Sequence, residues 1–600
     1  MSSTPGHPAS AVPVTDPTPE TLDVTGLARS RSTVRPRELW LVFLVALTGA
    51  VVIYIHRWVD VRGNYLAFGD VDGTLIEWFF AVVADKVSHL HGLFSTDLQN
   101  APVGVNLMAN VSMLGLTVPM TPITLAFGPA LSVLLVMTVG LAATATAWFW
   151  LFRRWVTPDS TWAAFTGAMV CGFGPGVIAH VNGPHPFLVV GVLIPIIIDR
   201  LLLLCEGARV RRDAVVLGLL VAYQVFVGEE ILFLAMIGTA LFALGYAWAN
   251  PQRARAALRP LASGLGIGGV VAVVLVAYPL HYQFTGPGHY HGLFWTPAAK
   301  AQSFVHYPSE SLGGDPAVAS HLADAEQNAF FGWPVLVLVL LVGAILWRHA
   351  VARAATVMTV GAAILSLGPE IPLYGTDHTI PGPYRWLAHR PLFDSLIESR
   401  LALVCLPGLG ILVALAAARV LTMELSTARA GSLMAMAACF IPLVPTPCPT
   451  KDYPSTPAFF SSGDWRHYVR PGHTLVTVPL PSAAYIYPLH WQTVDADLGF
   501  ALAGGHFNAP SYVNGVGVYG PAPRKTSDLF STVSSTNQPA EVDATARDDA
   551  AVDFAYWQAD AVVVLPGQSF DAKRITMERL TGRPGDLVDG ALVWRFWSAP

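Results

Sequence analysis

The stretch LWLVFLVALTGAVVIYI, residues 39–55, decides the class of fold. It carries no charged side chain, and a helix of about 20 apolar residues crosses the hydrocarbon core of a bilayer. Arginines precede it, but no small-residue cleavage site follows before Arg57. We therefore interpret it as a retained membrane anchor and not as a signal peptide.

The rest of the chain has the composition of a membrane protein. Of its 600 residues, 53% are hydrophobic and only 12% are charged, whereas soluble globular proteins have about 25% charged residues. The five cysteines form no CxxC pair, which argues against a zinc ribbon and against a dense disulfide framework. Basic residues stand in short clusters beside apolar stretches, so they indicate membrane topology and no nucleic-acid partner. The abundance of Arg, Ala, Gly and Pro is typical of a high-GC bacterium.

About eleven apolar stretches are long enough to span a membrane, and the positions of the arginines set their orientation. With the N-terminus inside and the C-terminus outside, strong clusters such as Arg153-Arg154 and Arg211-Arg212 all lie on the cytoplasmic side. If the proline-containing stretch 111–127 crossed the membrane fully, Arg153-Arg154 would lie on the outer side. We therefore predict that this stretch is interfacial or re-entrant. The predicted spans are 39–55, 130–152, 160–178, 186–205, 213–229, 230–249, 261–283, 330–347, 354–368, 400–418 and 430–446.

These spans divide the chain into three parts. Residues 1–36 are rich in Ser, Thr, Pro and Arg and predict a disordered cytoplasmic tail. Residues 37–446 predict an all-α polytopic membrane domain with a large outer loop at 56–129. Residues 447–600 contain short β-like runs and one helical pattern, so they predict a small extracytoplasmic α/β domain. Within it, the polar stretch 520–550 reads as a flexible excursion.

The outer loop begins with an acidic turn, Gly69-Asp70-Val71-Asp72-Gly73. Carboxylates beside a bilayer are costly to desolvate, so such acids usually carry protons, a metal ion or a substrate. Thr74 and Glu77 fit a capping box, and the apolar spacing after them predicts a helix that lies flat along the interface. Asp72 also fits a simple helix-start turn, but Asp70 lies too far upstream to cap this helix.

Other polar residues fall on the predicted outer side. His180 and His185 bracket a short loop where imidazoles can bind a metal ion or phosphate, although an ordinary polar loop has the same pattern. Glu229 and Glu230 lie at the apex of an apolar hairpin, where acids face water, a cation or a substrate. Two more candidates stand beside later spans: Glu326, which precedes one span, and Arg400, which either holds an anionic group or snorkels to lipid phosphate.

The sequence resembles the GT-C superfamily of membrane glycosyltransferases, whose donors are polyprenyl-phosphate sugars. The resemblance rests on the acidic loop after one span, the string APVGVNLM at 101–108, the stretch from Pro391-Leu392-Phe393 to Ser399-Arg400, and the predicted extracytoplasmic domain. These features are similar to those of actinobacterial members. The resemblance implies a cell-envelope acceptor and an active site on the outer face of the bacterial cytoplasmic membrane.

The resemblance also implies roles for individual residues. Asp70 matches the loop aspartate that acts as general base on the acceptor hydroxyl, with Asp72 as its support or as an alternative base. Charge on the leaving phosphate is then stabilised by Arg400, by His180 and His185, or by a divalent cation such as Mg²⁺ or Mn²⁺. Glu229, Glu230 or Glu326 would hold that cation. A clear second DxD motif is missing from the sequence, so the metal requirement stays open.

The sequence therefore predicts an integral-membrane glycosyltransferase, either a hexosyl- or a pentosyltransferase, that acts on a cell-envelope glycan, lipid or protein. A transporter or flippase for a lipid-linked or polar substrate is the main alternative, because the same acids would line a path. We see no internal repeat of the kind that transporters often show, and the acids cluster at one predicted face. A non-catalytic envelope scaffold is the third interpretation.

The predicted topology has a direct test. Alkaline phosphatase fused after Pro600 should be active, because this reporter folds with its disulfides only outside the cytoplasm. A fusion after Arg212, in a predicted cytoplasmic turn, is the matched control and should be inactive. Full-length but inactive reporter at Pro600 would contradict the orientation.

Overall fold

The computed structural model describes residues 33–323, 326–372 and 378–597. Most of the predicted cytoplasmic tail lies outside these residues. From Pro36 the chain is largely helical up to residue 440. These helices are α1 (Pro36–Ile53), α2 (Ile55–Val59), α3 (Asp70–Ser88), α4 (Leu114–Phe127), α5 (Pro129–Trp155), α6 (Thr161–Phe173), α7 (Pro175–Asn182), α8 (Pro186–Val189), α9 (Leu193–Glu206), α10 (Val210–Val227), α11 (Glu229–Ala249), α12 (Pro251–Thr285), α13 (Pro316–Leu322), α14 (Trp333–Ile345), α15 (Ala350–Leu365), α16 (Cys405–Leu421) and α17 (Thr427–Phe440).

The remaining helices and most strands lie in the C-terminal part. The helices are α18 (Ala458–Ser461), α19 (Tyr487–Val494), α20 (Lys525–Thr536), α21 (Ala544–Tyr556) and α22 (Phe570–Thr581). The strands along the whole chain are β1 (Asn64–Leu66), β2 (Ser95–Thr96), β3 (Val105–Asn106), β4 (His291–Leu293), β5 (Glu370–Pro372), β6 (Thr379–Pro381), β7 (Thr450–Asp452), β8 (Thr474–Thr477), β9 (Ala501–Leu502), β10 (Asn508–Pro510), β11 (Val516–Tyr519), β12 (Ala559–Val564), β13 (Asp586–Val588) and β14 (Ala591–Arg595).

The helical part has the character of a multi-pass membrane protein. By length and composition, seven helical stretches in the described residues are able to cross a membrane, and four shorter helices are also apolar. Each of the eleven predicted spans falls on a helix. The seven long stretches are Pro36–Ile53, Pro129–Trp155, Thr161–Asn182, Pro186–Glu206, Glu229–Ala249, Pro251–Thr285 and Glu398–Leu421.

The helix after the acidic turn differs from its prediction. It begins at Asp70 and not at Thr74, and the capping box does not form, because the Glu77 carboxylate instead accepts a hydrogen bond from Arg57 Nη2 at 2.9 Å. That α3 lies flat along the membrane interface stays a prediction. Its burial is broader than one apolar face, because Trp78, Phe79 and neighbouring side chains on several faces are fully buried where α3 packs between α4, α5 and α19.

The proline-containing stretch 111–127 forms α4, a single helix that packs on α3 and α5. A proline inside a helix lacks the N–H that would bond to the carbonyl four residues earlier. For Pro119 that carbonyl belongs to Gly115, and it accepts a hydrogen bond from the Tyr223 hydroxyl of α10 at 2.8 Å. A side chain from a neighbouring helix thus satisfies the freed backbone group.

The C-terminal part contains a five-stranded sheet in the order β13-β14-β12-β8-β9. Strands β12, β8 and β9 are parallel, and β14 and β13 run antiparallel to their neighbours. This sheet confirms a β-containing C-terminal part. The stretch 520–550, predicted as a flexible excursion, instead contains α20 and the start of α21, because Phe530 is buried in this core and Arg524 pairs with Asp553 at 2.6 Å.

Strands from the outer loops join the C-terminal part to the helices. β1 pairs with β7, and β4 pairs with β11 in a three-stranded sheet that also holds β10. Gln492 of α19 adds a buried connection. Its side-chain oxygen accepts from Trp78 Nε1 at 2.8 Å, and its side-chain nitrogen donates to the carbonyls of Leu98 and Phe500. These contacts hold the start of α3 against the C-terminal part.

The buried pair Arg57–Glu77 predicts a large effect on stability. Replacing Arg57 with Ala leaves the Glu77 carboxylate buried without its partner, which typically costs about 3–5 kcal/mol. We expect a strongly lowered thermal unfolding midpoint for purified Arg57→Ala in lipid. The matched control, Arg62→Ala, removes an exposed arginine from the same loop and should change the midpoint little. Equal midpoints for the two variants would show that the pair contributes no stability.

Candidate active site

Six titratable side chains meet at the end of the helical part that lies beside the C-terminal sheets. All six lie at the ends of helices or in the segments that connect them. We call these residues the charged cluster. They are Asp72 in the first turn of α3, His180 in the last turn of α7, His185 directly before α8, Glu230 in the first turn of α11, Glu326 in the segment before α14, and Arg400 in the 3₁₀-helix Glu398–Val404 that leads into α16.

Arg400 is the centre of the cluster. Its Nε donates to the two oxygens of Glu326 at 2.9 and 3.1 Å, its Nη2 also donates to Glu326, and its Nη1 donates to Glu230. The guanidinium lies 5.7 Å from the ring centroid of Phe187. A guanidinium has five N–H donors, so these contacts leave one N–H on each Nη for a further anion. The alternative in which Arg400 snorkels to lipid does not hold, because the residue is only 8% exposed.

The two histidines form a chain from Asp72 towards Glu326. His185 Nε2 lies 3.2 Å from Asp72 Oδ2, and the Nδ1 atoms of His180 and His185 are 2.9 Å apart. If His185 Nε2 carries its proton towards Asp72, then His185 Nδ1 accepts from His180 Nδ1, and His180 Nε2 keeps a lone pair. That Nε2 atom is buried, makes no hydrogen bond within the described part of the chain, and lies 3.7 Å from Glu326 Oε2.

The surroundings keep the carboxylates of Asp72 and Glu326 ionised. Burial alone would raise the pKa of Glu326, but the guanidinium of Arg400 holds that pKa far below its usual value. Partial burial also raises the pKa of Asp72, but the hydrogen bond from His185 outweighs it and leaves the pKa lowered. The cluster therefore holds two ionised carboxylates beside the guanidinium of Arg400.

Two of the predicted site residues lie apart from the cluster. Asp70 and Asp72 are two positions apart, which on a helix is about 200° of rotation, so they cannot face the same side. Within the described residues no hydrogen bond or ion pair joins Asp70 to the cluster. Glu229 is directed away from its neighbour Glu230, and its Oε2 accepts from Gln283 of α12 at 2.8 Å.

The histidines are not in an ordinary polar loop. His180 is fully buried and His185 is 9% exposed, because α7 and α8 fold the intervening turn into the protein. The structure adds a third imidazole that the sequence analysis missed. His506, from the C-terminal part, has Nε2 3.9 Å from Asp72 Oδ1. Only its place after Gly504-Gly505 marked it in the sequence, and that pattern points to no particular chemistry.

Three residues of the cluster are suited to hold a metal ion. Ligand atoms of His180, His185 and Glu326 lie within 4.8 Å of one another. His180 Nε2 lies 3.7 Å from Glu326 Oε2, and both His180 Nε2 and Glu230 Oε1 are buried without a hydrogen bond in the described residues. A cation between them would take the Nδ1 lone pair of His185 in place of the hydrogen bond from His180. Two imidazoles with one carboxylate suit Mn²⁺ or Zn²⁺ better than Mg²⁺.

Comparison with solved structures identifies a similar fold. The archaeal oligosaccharyltransferase AglB from Archaeoglobus fulgidus, in complex with an inhibitory peptide and a dolichol-phosphate, superposes with a TM-score of 0.51 at 12% identity, over 88% of this chain and 69% of that one. The apo form of the A. fulgidus enzyme gives a TM-score of 0.50 at 11% identity, over 88% and 70% of the two chains. No family model and no curated protein matches the sequence. The fold of this chain is thus similar to that of the archaeal oligosaccharyltransferase.

The metal-binding geometry predicts Mn²⁺ binding. The purified chain, freed of metal by a chelator, should bind Mn²⁺ in an electron paramagnetic resonance titration. His180→Ala and Glu326→Gln should each weaken this binding at least about tenfold, because each removes a ligand and even the loss of a supporting contact costs that much. His289→Ala, which alters a histidine outside the cluster, is the control. Unchanged Mn²⁺ affinity in both cluster variants would exclude this site.

Proposed function

We propose that this protein is an integral-membrane glycosyltransferase that moves a sugar from a polyprenyl-phosphate donor to a cell-envelope glycan, lipid or protein. The active site is the charged cluster, on the outer face of a bacterial cytoplasmic membrane. The observation that carries the proposal is the convergence of Asp72, Glu326 and Arg400, from distant parts of the chain, in a GT-C-like fold. The sugar is a hexose or a pentose.

Asp72 is the general base in this proposal. Its side chain is 46% exposed although its neighbours are buried, so an acceptor hydroxyl has access to it. A sugar hydroxyl is a weak nucleophile until a positioned carboxylate accepts its proton. The hydrogen bond from His185 fixes the orientation of the carboxylate. The helical geometry of α3 favours Asp72 over Asp70, because only Asp72 faces the cluster.

Arg400 binds the donor phosphate. Its two unused N–H groups form a pair that suits two phosphate oxygens, while Glu230 and Glu326 hold the planar group in place. Negative charge grows on the phosphate as the bond to the anomeric carbon breaks, so this contact strengthens in the transition state. A divalent cation held by His180, His185 and Glu326 would supply further stabilisation of that charge when bound.

The partners follow from the same chemistry. The AglB structure contains a dolichol-phosphate, which is a polyprenyl phosphate, together with a peptide. A lipid-linked donor suits a charged cluster that lies at the end of apolar helices, because the phosphate reaches the cluster while the polyprenyl chain stays in the bilayer. The acceptor approaches from the side of the C-terminal part, which contributes His506 next to Asp72.

The proposal predicts the effect of removing the base. Asp72→Asn should lower transfer of radiolabelled sugar from synthetic polyprenyl-phosphate hexoses and pentoses by about 10²–10⁴-fold, the usual contribution of a general base. Asp97→Asn, which alters an exposed acid in the same outer loop, is the control and should keep full activity. Asp70→Asn should have the smaller effect of the two candidate bases.

Two results would contradict the proposal. If correctly inserted Asp72→Asn transfers sugar at the full rate, Asp72 is not the base. If the protein in sealed vesicles moves intact labelled lipid across the bilayer and releases no sugar, it is a flippase. The second result would favour the transporter interpretation of the same acids.

A further inference from the structure

An aromatic surface borders the charged cluster on the side of the C-terminal part. Phe294 is 59% exposed and Tyr519 is 39% exposed, and their ring centroids are 5.4 Å apart with an angle of 74° between the planes. The ring of His506 lies 5.8 Å from that of Tyr519. We call these three residues the aromatic wall.

The strands hold Phe294 and Tyr519 in fixed positions. Tyr519 ends β11, and Phe294 directly follows β4, which pairs with β11. The backbone N–H of Phe294 donates to the carbonyl of Gly517 at 3.1 Å. Exposed aromatic rings on a hydrogen-bonded sheet are rigid, so they lose little entropy when they bind a ligand.

His506 is fixed by a separate set of hydrogen bonds. Its backbone N–H donates to Gln99 Oε1 at 2.9 Å. Two residues later, the backbone of Asn508 exchanges two hydrogen bonds with the side chain of Asn110, at 2.7 and 3.1 Å. Gln99 and Asn110 flank the 101–108 string, so this part of the outer loop positions His506.

The wall faces the charged cluster. His506 Nε2 is 3.9 Å from Asp72 Oδ1, and the Asp72 carboxylate is open to solvent on one side. Burial raises the pKa of the Tyr519 hydroxyl, and the charges of Arg400, Asp72 and Glu326 also act on it. The Tyr519 ring is 5.8 Å from that of His506, so the aromatic pair stands beside the Asp72 carboxylate. Aromatic surface and hydrogen-bonding groups therefore adjoin each other here.

We propose that the aromatic wall binds a sugar ring. A pyranose has an apolar face of C–H groups and a rim of hydroxyls, so it requires both an aromatic surface and polar partners. The C–H face would pack on the negative π face of one of these two rings, the other ring would border the sugar because the two planes are 74° apart, and the hydroxyls would point to His506 and Asp72. This inference rests on the proposed function and deepens it, because it locates the carbohydrate within the site.

A polyprenyl chain is a poorer occupant of this surface. An apolar chain against the wall would cover the Asp72 carboxylate without giving it a hydrogen bond, which is costly for an ionised group. A sugar hydroxyl instead donates to that carboxylate. The donor sugar and an acceptor sugar share the same ring chemistry, so the test distinguishes them.

The test measures binding of methyl glycosides of mannose, glucose, galactose and arabinose to the full chain in lipid nanodiscs by saturation-transfer NMR. At least one glycoside should show transfer to its ring C–H protons. Phe294→Leu and Tyr519→Leu should each weaken binding roughly two- to tenfold, the range for loss of one aromatic contact. Tyr519→Phe should keep the affinity, and Tyr512→Leu, which alters a tyrosine that is 74% exposed, is the control.

Competition identifies the source of the sugar. A polyprenyl phosphate that carries a sugar should displace the glycoside if the wall holds the donor sugar, whereas both ligands should bind together if the wall holds an acceptor sugar. A polyprenyl phosphate without a sugar should leave the glycoside bound in both cases. Either pattern supports the proposal.

Three outcomes would overturn it. The first is the absence of glycoside binding. The second is an unchanged affinity in both leucine variants when their unfolding midpoints equal that of the parent protein. The third is that the leucine variants lose polyprenyl-phosphate binding and keep glycoside binding. If the leucine variants unfold early, Tyr519→Phe and a Phe294→Tyr variant decide, because both keep an aromatic ring and should keep the affinity. If the protein binds glycosides but transfers no sugar, the proposed transferase function is wrong and the sugar-binding role of the wall stands. If it transfers sugar and the leucine variants bind glycosides as the parent does, only the sugar-binding role of the wall is wrong.

Discussion

The site depends on the buried guanidinium of Arg400, which joins three distant segments of the chain. It pairs with Glu230 at the start of α11 and with Glu326 before α14, while its own backbone leads into α16. Removal of these charges from water costs several kcal/mol for each ion, and their mutual attraction repays this only with good geometry. Such an arrangement adds little net stability compared with an apolar core. Its clear effect is on position, because one guanidinium orders three segments of the chain around a fixed cation.

The same constraint explains why the C-terminal part is built into the helical part. Asp72 can face Arg400 only if α3 starts at the right place and angle. The ion pair between Arg57 and Glu77 fixes the first half of α3 to the segment before it. Gln492, from the C-terminal part, accepts a hydrogen bond from Trp78 in the same half. His506 reaches Asp72 because Gln99 holds its backbone. The β pairs between the connecting loops of the helical part and the C-terminal strands thus bring His506 to Asp72, and the cluster's surroundings are incomplete without residues 447–597.

The helices and most residues of the cluster were predictable from sequence, because both depend on local and statistical signals. Apolar length predicted the eleven long stretches of the helical part, and acids, histidines and an arginine beside spans are rare enough to be informative. The choice between Asp70 and Asp72 was not predictable, since it depends on whether residues 69–73 form a turn or the first turn of a helix. The Glu77 side chain appeared to cap α3, but its true partner, Arg57, lies 20 residues earlier. His506 comes from 434 residues beyond Asp72 through strand pairing, and local patterns carry no information about such a contact.

Helix geometry also supports two acids of the cluster. Asp72 and Glu230 both lie in first turns, where the positive end of a helix stabilises a carboxylate by about 0.3–1 kcal/mol. Each of them also has a side-chain partner from another segment of the chain, since Asp72 contacts His185 and Glu230 pairs with Arg400. The two helix starts therefore set where these acids stand, and the contacts between distant segments set which groups they face.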